Sequence, residues 1–239
     1  MTTDTVSKQA HVTIDGWSIG GMAKGAGMLA PALATMLVVV TTDAVVDGAA
    51  ADRIVRGAAA ATFDRIDSDG CMSTNDTVLL LASGASGVRL PESELSTLVT
   101  AVCADLAGQL IGDAEGASKD IEIAVSGAAS EADALAVARA VSRSNLLKCA
   151  IHGQDPNWGR ILSAIGTTAA AFEPERVDVA INGVWVCRGG GVGADRALVD
   201  LSGRAVRIDI ALAAGPAEAT VWTNDLTADY VHENSAYAT

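Results

Sequence analysis

Residues 20–46 read GGMAKGAGMLAPALATMLVVVTTDAVV, and the rest of the chain is organised around them. Lys24 sits among glycines, and a strand-like apolar run, TMLVVV, begins at Thr35 directly after a loop of small residues. A threonine at the head of such a run is ordinarily a strand residue, because a β-branched side chain fits a pleated surface. Its chemistry changes if the Ala34–Thr35 bond is cut. Thr35 would then carry a hydroxyl nucleophile and a free α-amino group as its own base. That amine titrates at about 8 rather than about 10, so it accepts a proton at neutral pH.

Upstream, HVTIDGWSI alternates as a strand entering the glycine loop. Downstream, residues 47–66 read as an alanine-rich helix with Ile54, Val55 and Phe63 on its apolar side. The acidic turn DSDG (67–70) has a calcium-loop flavour, but the closing glutamate of an EF-hand is missing, so it reads as a turn. DTVLLLASG (76–84) is nearly all apolar, the pattern of a strand covered on both faces. Residues 91–111 form a long helix with a proline and acidic start. KDIEIAVSG (119–127) alternates as a strand, and 130–148 return to helix with Ser130 as cap. In DPNWGR, Asp155 and Pro156 stand where a helix starts, and Asn157 and Arg160 are open to a ligand role. RVDVAINGVWVC is a hairpin turning at Asn182-Gly183, and VRIDIAL with EATVWTN forms another pair around Gly215-Pro216. The tail, LTADYVHENSAYAT, starts as a short helix. Helices alternating with strands, then hairpins, imply an α/β layered sandwich.

The totals narrow the function classes. With 239 residues and a net charge of −13, the chain supports a sizeable core and lacks the basic surface that nucleic acid or an anionic membrane requires. Aromatics make up only 3%, so the core must fill by close approach of backbones rather than by rings. No run reaches about 18 uninterrupted apolar residues, and the polar TTDTVSKQ after Met1 does not read as a signal peptide. Cys71, Cys103, Cys149 and Cys187 are scattered, which reads as reduced core thiols in a cytoplasmic protein without a metal site. GGGVG (189–193) opens inside β structure, which argues against a dinucleotide site.

GGMAKGAGM, then LATML and TTDA, resembles the ornithine acetyltransferase (glutamate N-acetyltransferase) family. STNDTVLLLASG from Ser73, DAEG from Asp113, DPNWGR from Asp155 and the terminal ENSAYAT extend the resemblance along essentially the whole chain. The resemblance implies a DmpA/ArgJ-like fold of the N-terminal-nucleophile type and self-cleavage between Ala34 and Thr35. Residues 1–34 would end an alpha chain whose N-terminal half lies outside this sequence. Residues 35–239 would form a beta chain, α/β over about 35–170 and β-rich over about 171–239. It further implies acetyl transfer from N2-acetylornithine to glutamate through an acetyl-threonine, with no cofactor and with acetyl-CoA as an alternative donor accepted by some relatives. Thr35 would be the nucleophile, and Thr2, Lys24, Thr35, Glu115, Asn234 and Thr239 would hold substrate. The assembly implied is two alpha and two beta chains. A threonine–glycine pair that stabilises the oxyanion belongs to the missing half.

Taken singly, these residues also fit plain roles: Lys24 as a solvated lysine, Glu115 as a helix-end acid, Asn234 as a cap in a frayed tail. PALAT replaces the proline-asparagine-methionine run common before the junction in relatives, which bears on cleavage efficiency. Two rival readings stand beside the transferase. One is an N-terminal-threonine amidohydrolase or aminopeptidase; the other is a fragment inactive without its missing half.

Overall fold

The segment whose alternation suggested one strand folds as a hairpin. In the computed structural model, which describes residues 3–30, 36–72 and 75–236, β1 (Lys8–Ile14) and β2 (Trp17–Lys24) pair antiparallel across Asp15-Gly16. A two-residue turn leaves the period-two pattern unbroken, so the reversal does not show in the alternation. β3 (Leu37–Thr42) follows, then α1 (Gly48–Ala61), β4 (Thr77–Ala82) and α2 (Glu92–Gly112). The four strands make one sheet in the order β1-β2-β3-β4, with β3 and β4 parallel.

Local chemistry sets these elements. Asp47 starts α1 by accepting the Ala50 N–H at 2.9 Å, and Pro91 precedes the two acids in the first turn of α2. Val38 and Val40 of β3 and Leu106 of α2 are all but sealed from solvent. Burying each such side chain contributes roughly 1.5–3 kcal/mol. By length and composition α2 could cross a bilayer, yet it packs on β1, β2 and α1 with Val99, Cys103, Leu106 and Leu110 fully buried.

β4 corrects the expectation of a strand covered on both faces. It is the sheet's edge, with a neighbour on one side only, and Leu79 and Leu81 remain 45% and 53% exposed. An apolar run records how much grease a strand carries, not which of its faces is covered.

By contacts the chain divides into two compact units, Met1–Glu115 and Gly116–Thr239. The second contains β5 (Asp120–Ala128), α3 (Glu131–Ser142), α4 (Asn145–His152), α5 (Trp158–Ile165), β6 (Asp178–Ile181), β7 (Val184–Arg188), β8 (Gly191–Val192), β9 (Ala205–Ala211), β10 (Ala217–Asn224) and α6 (Ala228–Ala236). Its six strands run in the order β10-β5-β9-β6-β7-β8, and α3 covers β5 and β10. The β6–β7 hairpin turns at Asn182 (φ 47°) and Gly183 (φ 80°), as Asn-Gly foretold.

Three expectations here are corrected. The helix read over 130–148 is two: Ser130 caps α3 through the Asp133 N–H, and Ser144 caps α4 through the Leu147 N–H. The second serine is both stop and start, and continuous apolar periodicity hid it. Asn157, not Asp155, caps α5, accepting the Arg160 N–H at 3.3 Å while Asp155 takes an N–H from the Asn157 amide. Lastly, β9 and β10 follow each other in sequence but do not pair. β5 lies between them, parallel to β9 and antiparallel to β10. Adjacency in sequence sets loop length but not pairing, and β5 stands second of the six strands, between β10 and β9.

A buried lysine locks this unit. Lys119 Nζ donates to the carbonyls of Leu201 (2.7 Å), Ser202 (3.2 Å) and Gly203 (2.6 Å), pinning the loop before β9. The two mixed sheets with helices laid on them form an α/β layered architecture.

Candidate active site

The glycine loop after β2 collects polar groups from three places in the first unit. Lys24 is the last residue of β2, and the β2–β3 register sets it opposite Leu37, two residues past Thr35. Glu115 arrives from the other direction, just beyond the end of α2. Its backbone N–H donates to the Ala26 carbonyl at 2.9 Å, so the acid is fastened to the same loop. Its carboxylate lies over Gly27, where an added Cβ would sit 2.6 Å from Oε2. Only a residue without a side chain admits that approach. Thr3 Oγ1 donates to Glu115 Oε1 at 2.6 Å, completing the acid's seat.

Beneath this loop lies a charge cluster that sequence reading missed. Lys8, with a side chain wholly shielded from solvent, reaches Asp4 Oδ1 at 2.6 Å and Asp113 Oδ2 at 2.5 Å. Asp4 Oδ1 also accepts the Gly25 N–H at 2.7 Å, and Asp113 accepts the backbone N–H and hydroxyl of Thr5. Burial pushes the Asp113 carboxyl up, but the Lys8 ammonium and the Thr5 donors outweigh it and hold the group below the usual carboxylate range. The cluster ties together the start of the chain, the Lys24 loop and the segment bearing Glu115. Asp4 and Lys8 are spaced i,i+4, a signal read on helices; here Lys8 is the first residue of β1 and Asp4 precedes it, so that signal did not apply.

Downstream of the junction, Asp76 accepts the Met36 N–H at 2.8 Å. Burial pushes the Asp76 carboxyl up, with the Met36 N–H pulling against it. Asn234 lies on α6 in the second unit, exposed, with its amide donating to the Tyr230 carbonyl at 3.0 Å. Thr2, Ala34, Thr35 and Thr239 lie outside the described residues. The structure therefore brings Lys24 and Glu115 to one loop, and Asn234 belongs to the other unit.

A serine, a histidine and an aspartate also meet in the second unit, and their wiring excludes a nucleophilic relay. Asp225 Oδ2 lies 2.9 Å from His152 Nδ1 and also accepts the Ser118 hydroxyl; that same Nδ1 is the nitrogen 3.3 Å from Ser118 Oγ. A relay needs one imidazole nitrogen for the acid and the other for the nucleophile. Asp225 instead acts as a clasp, also accepting the N–H groups of Ser118 and Lys119 at 2.9 Å each. Burial raises its carboxyl and these donors outweigh that, so it is held low. Among the described residues, no group of three His, Cys, Asp or Glu could hold a metal ion.

Comparison with known proteins adds a chain-long likeness. The model of the ArgJ family matches residues 1–239. The chain is 69% identical over 237 residues to the arginine biosynthesis bifunctional protein ArgJ of Streptomyces avermitilis, covering 99% of this chain and 62% of that protein. Its counterpart in Thermobifida fusca is 63% identical over 238 residues, with 100% and 62% covered. The chain thus spans about three-fifths of the length of these relatives. The crystal structure of arginine biosynthesis bifunctional protein argJ from Bacillus halodurans superposes with a TM-score of 0.78 at 35% identity, covering 83% of this chain and 98% of that one.

Proposed function

This chain belongs to the ArgJ family, and on that premise we propose that it carries the self-cleaving, acetyl-transferring part of an arginine-biosynthesis enzyme, a glutamate N-acetyltransferase. One observation carries the reading: a strand-end lysine leads into the glycine loop to which an acid is fastened, beside the strand that begins two residues after Thr35.

Maturation would run on the chain's own atoms. Thr35 Oγ adds to the Ala34 carbonyl carbon, the C–N bond breaks, and the nitrogen takes the hydroxyl proton. Water then opens the resulting ester, leaving the Ala34 carboxylate and a Thr35 with free hydroxyl and amine. In turnover, Oγ attacks the acetyl carbonyl of N2-acetylornithine while the Thr35 amine accepts its proton. Ornithine leaves with that proton, and the acetyl-threonine ester passes its acyl group to the amine of glutamate. Both substrates carry carboxylates, and ornithine adds an ammonium, so the pocket needs a cation and an anion held apart. By the family resemblance Lys24 would supply the first and Glu115 the second, and Thr2, Asn234 and Thr239 are the further residues assigned to substrate. No cofactor enters this cycle, and acetyl-CoA would serve only as an alternative acetyl donor.

Four free thiols accord with a cytoplasmic setting, although only Cys103 and Cys187 lie in the core and Cys71 and Cys149 are exposed, against the reading of all four as core thiols. The assembly we infer is two alpha and two beta chains, completed by the polypeptide that the longer relatives contain. Intact mass of the freshly made whole protein tests the reading. Two fragments meeting at Ala34/Thr35, absent from a Thr35→Ala variant, are expected, together with N-acetylglutamate as product. A permanently whole chain that still transfers acetyl groups would overturn it, and accumulation of acetate in place of N-acetylglutamate would point to an amidohydrolase.

A further inference from the structure

The acidic loop between α1 and β4 holds both sides of the junction segment. Before it, the Ser68 N–H donates to the Leu29 carbonyl at 2.6 Å, and Asp69 Oδ2 accepts the Met28 N–H at 2.7 Å. After it, Asp76 Oδ1 accepts the Met36 N–H at 2.8 Å, while the Thr77 N–H donates to the Met36 carbonyl at 3.0 Å. Asp69 spends its second oxygen on the Cys71 N–H at 3.1 Å, which fixes its own turn. A cavity of about 380 Å³ lined by Leu29, Ala30, Met36, Phe63 and Asp76 lies against both attachment points. Within the turn read at 67–70, Asp69 therefore spends both carboxylate oxygens on backbone N–H groups.

We propose that Asp69 and Asp76 are positioning residues for scission of the Ala34–Thr35 bond, clamping residues 28 and 36 so that the intervening chain is presented to its own hydroxyl. The proposal rests on the self-cleavage reading above. Attack of a side chain on the peptide bond preceding it requires a geometry that an unrestrained loop seldom visits, and pinning both ends removes most of the competing conformations. The same clamps would retain both new chain ends after the cut, with Met28 and Leu29 on one side and Met36 on the other.

Alanine and asparagine series at both positions, made in the whole protein and followed by intact mass from synthesis onward, test this. Asp76→Ala and Asp69→Ala remove the acceptor and should slow fragment formation by about 10- to 100-fold. Asp76→Asn and Asp69→Asn keep an oxygen for the same N–H and should cut within about threefold of the parent. Alanine variants that cut at the parental rate overturn the proposal. So do asparagine variants that melt like the parent yet cut as slowly as the alanine ones. If an alanine variant fails to fold, its asparagine partner decides alone, since slow scission there refutes the acceptor role. A parent chain that never cuts sinks the self-cleavage reading itself, a result distinct from any difference among the variants.

Discussion

Replacing Gly27 by alanine separates a substrate-binding Glu115 from a merely structural one. The new methyl would meet Glu115 Oε2 at 2.6 Å and the other carboxyl atoms at 2.7 Å, against about 3.4 Å for an ordinary contact. The carboxylate must retreat by about 0.8 Å, well up the repulsive wall of the contact. Gly27 does not have a positive φ, so its backbone accepts alanine without strain. What is lost is the seat: the 2.6 Å bond from Thr3 lengthens or breaks. Hydrogen bonds to a charged group contribute about 1.5–3 kcal/mol, and a misplacement near 1 Å can cost about 10²-fold in rate. We therefore expect kcat/KM for N2-acetylornithine to fall by roughly 10- to 100-fold while the melting temperature shifts by only a few degrees. The assay is steady-state release of ornithine by the whole protein, paired with thermal unfolding. Adding Thr3→Val should cost little more in the Gly27→Ala background, because both changes spend the same bond. An unchanged kcat/KM with the variant folded would refute the placement of Glu115 at the substrate.

Other expectations rest on stability. Lys8→Met leaves Asp4 and Asp113 facing each other without their cation, and urea unfolding should show a loss of about 3–5 kcal/mol. Lys119→Met strips the donor from three loop carbonyls and should cost about 2–4 kcal/mol by the same measurement, with β9 amides losing hydrogen-exchange protection first. Gly116→Ala, at φ 62°, puts a Cβ into the Tyr230 backbone and should dislodge α6, visible as early proteolysis of the C-terminal segment. Asp113 and Asp225 are held below their ordinary 3.8, so their contribution is present above that value and is lost as acid titrates them through their lower folded-state values. Asp76 is raised and runs the other way, favouring the fold at low pH and losing that contribution as pH rises through its elevated value. Acid melting curves of Asp113→Asn and Asp76→Asn should therefore differ from the parent in opposite senses.

Much of the secondary structure was legible because it rests on local chemistry. Asp47 and Ser130 cap helices where a side-chain oxygen meets an orphan N–H, and Asn182-Gly183 turns a hairpin because both positions adopt φ above zero. The misread elements are those decided by distant partners. Nothing within DTVLLLASG announces an edge strand, and nothing within VRIDIAL announces that its neighbour will be β5. The division at Glu115/Gly116 falls inside the seven-residue connection DAEGASK between α2 and β5, too short to announce a boundary by composition.

The site follows the same logic one level up. Lys24 and Glu115 were found by motif, and each was by itself indistinguishable from a surface charge. What gives them weight is Gly27, Ala26 and Thr3, which only the fold places around Glu115. The loop acids were visible but assigned no task, because a carboxylate that ends on a backbone N–H leaves no spacing rule in the sequence. Both cases rest on the trait that made the composition odd. A chain with few large side chains lets backbones and carboxylates come within hydrogen-bond reach of one another. Scission at Ala34–Thr35, as proposed, would need that reach, since nucleophile and target belong to adjacent residues and only the restraint of the surrounding chain would decide how they meet.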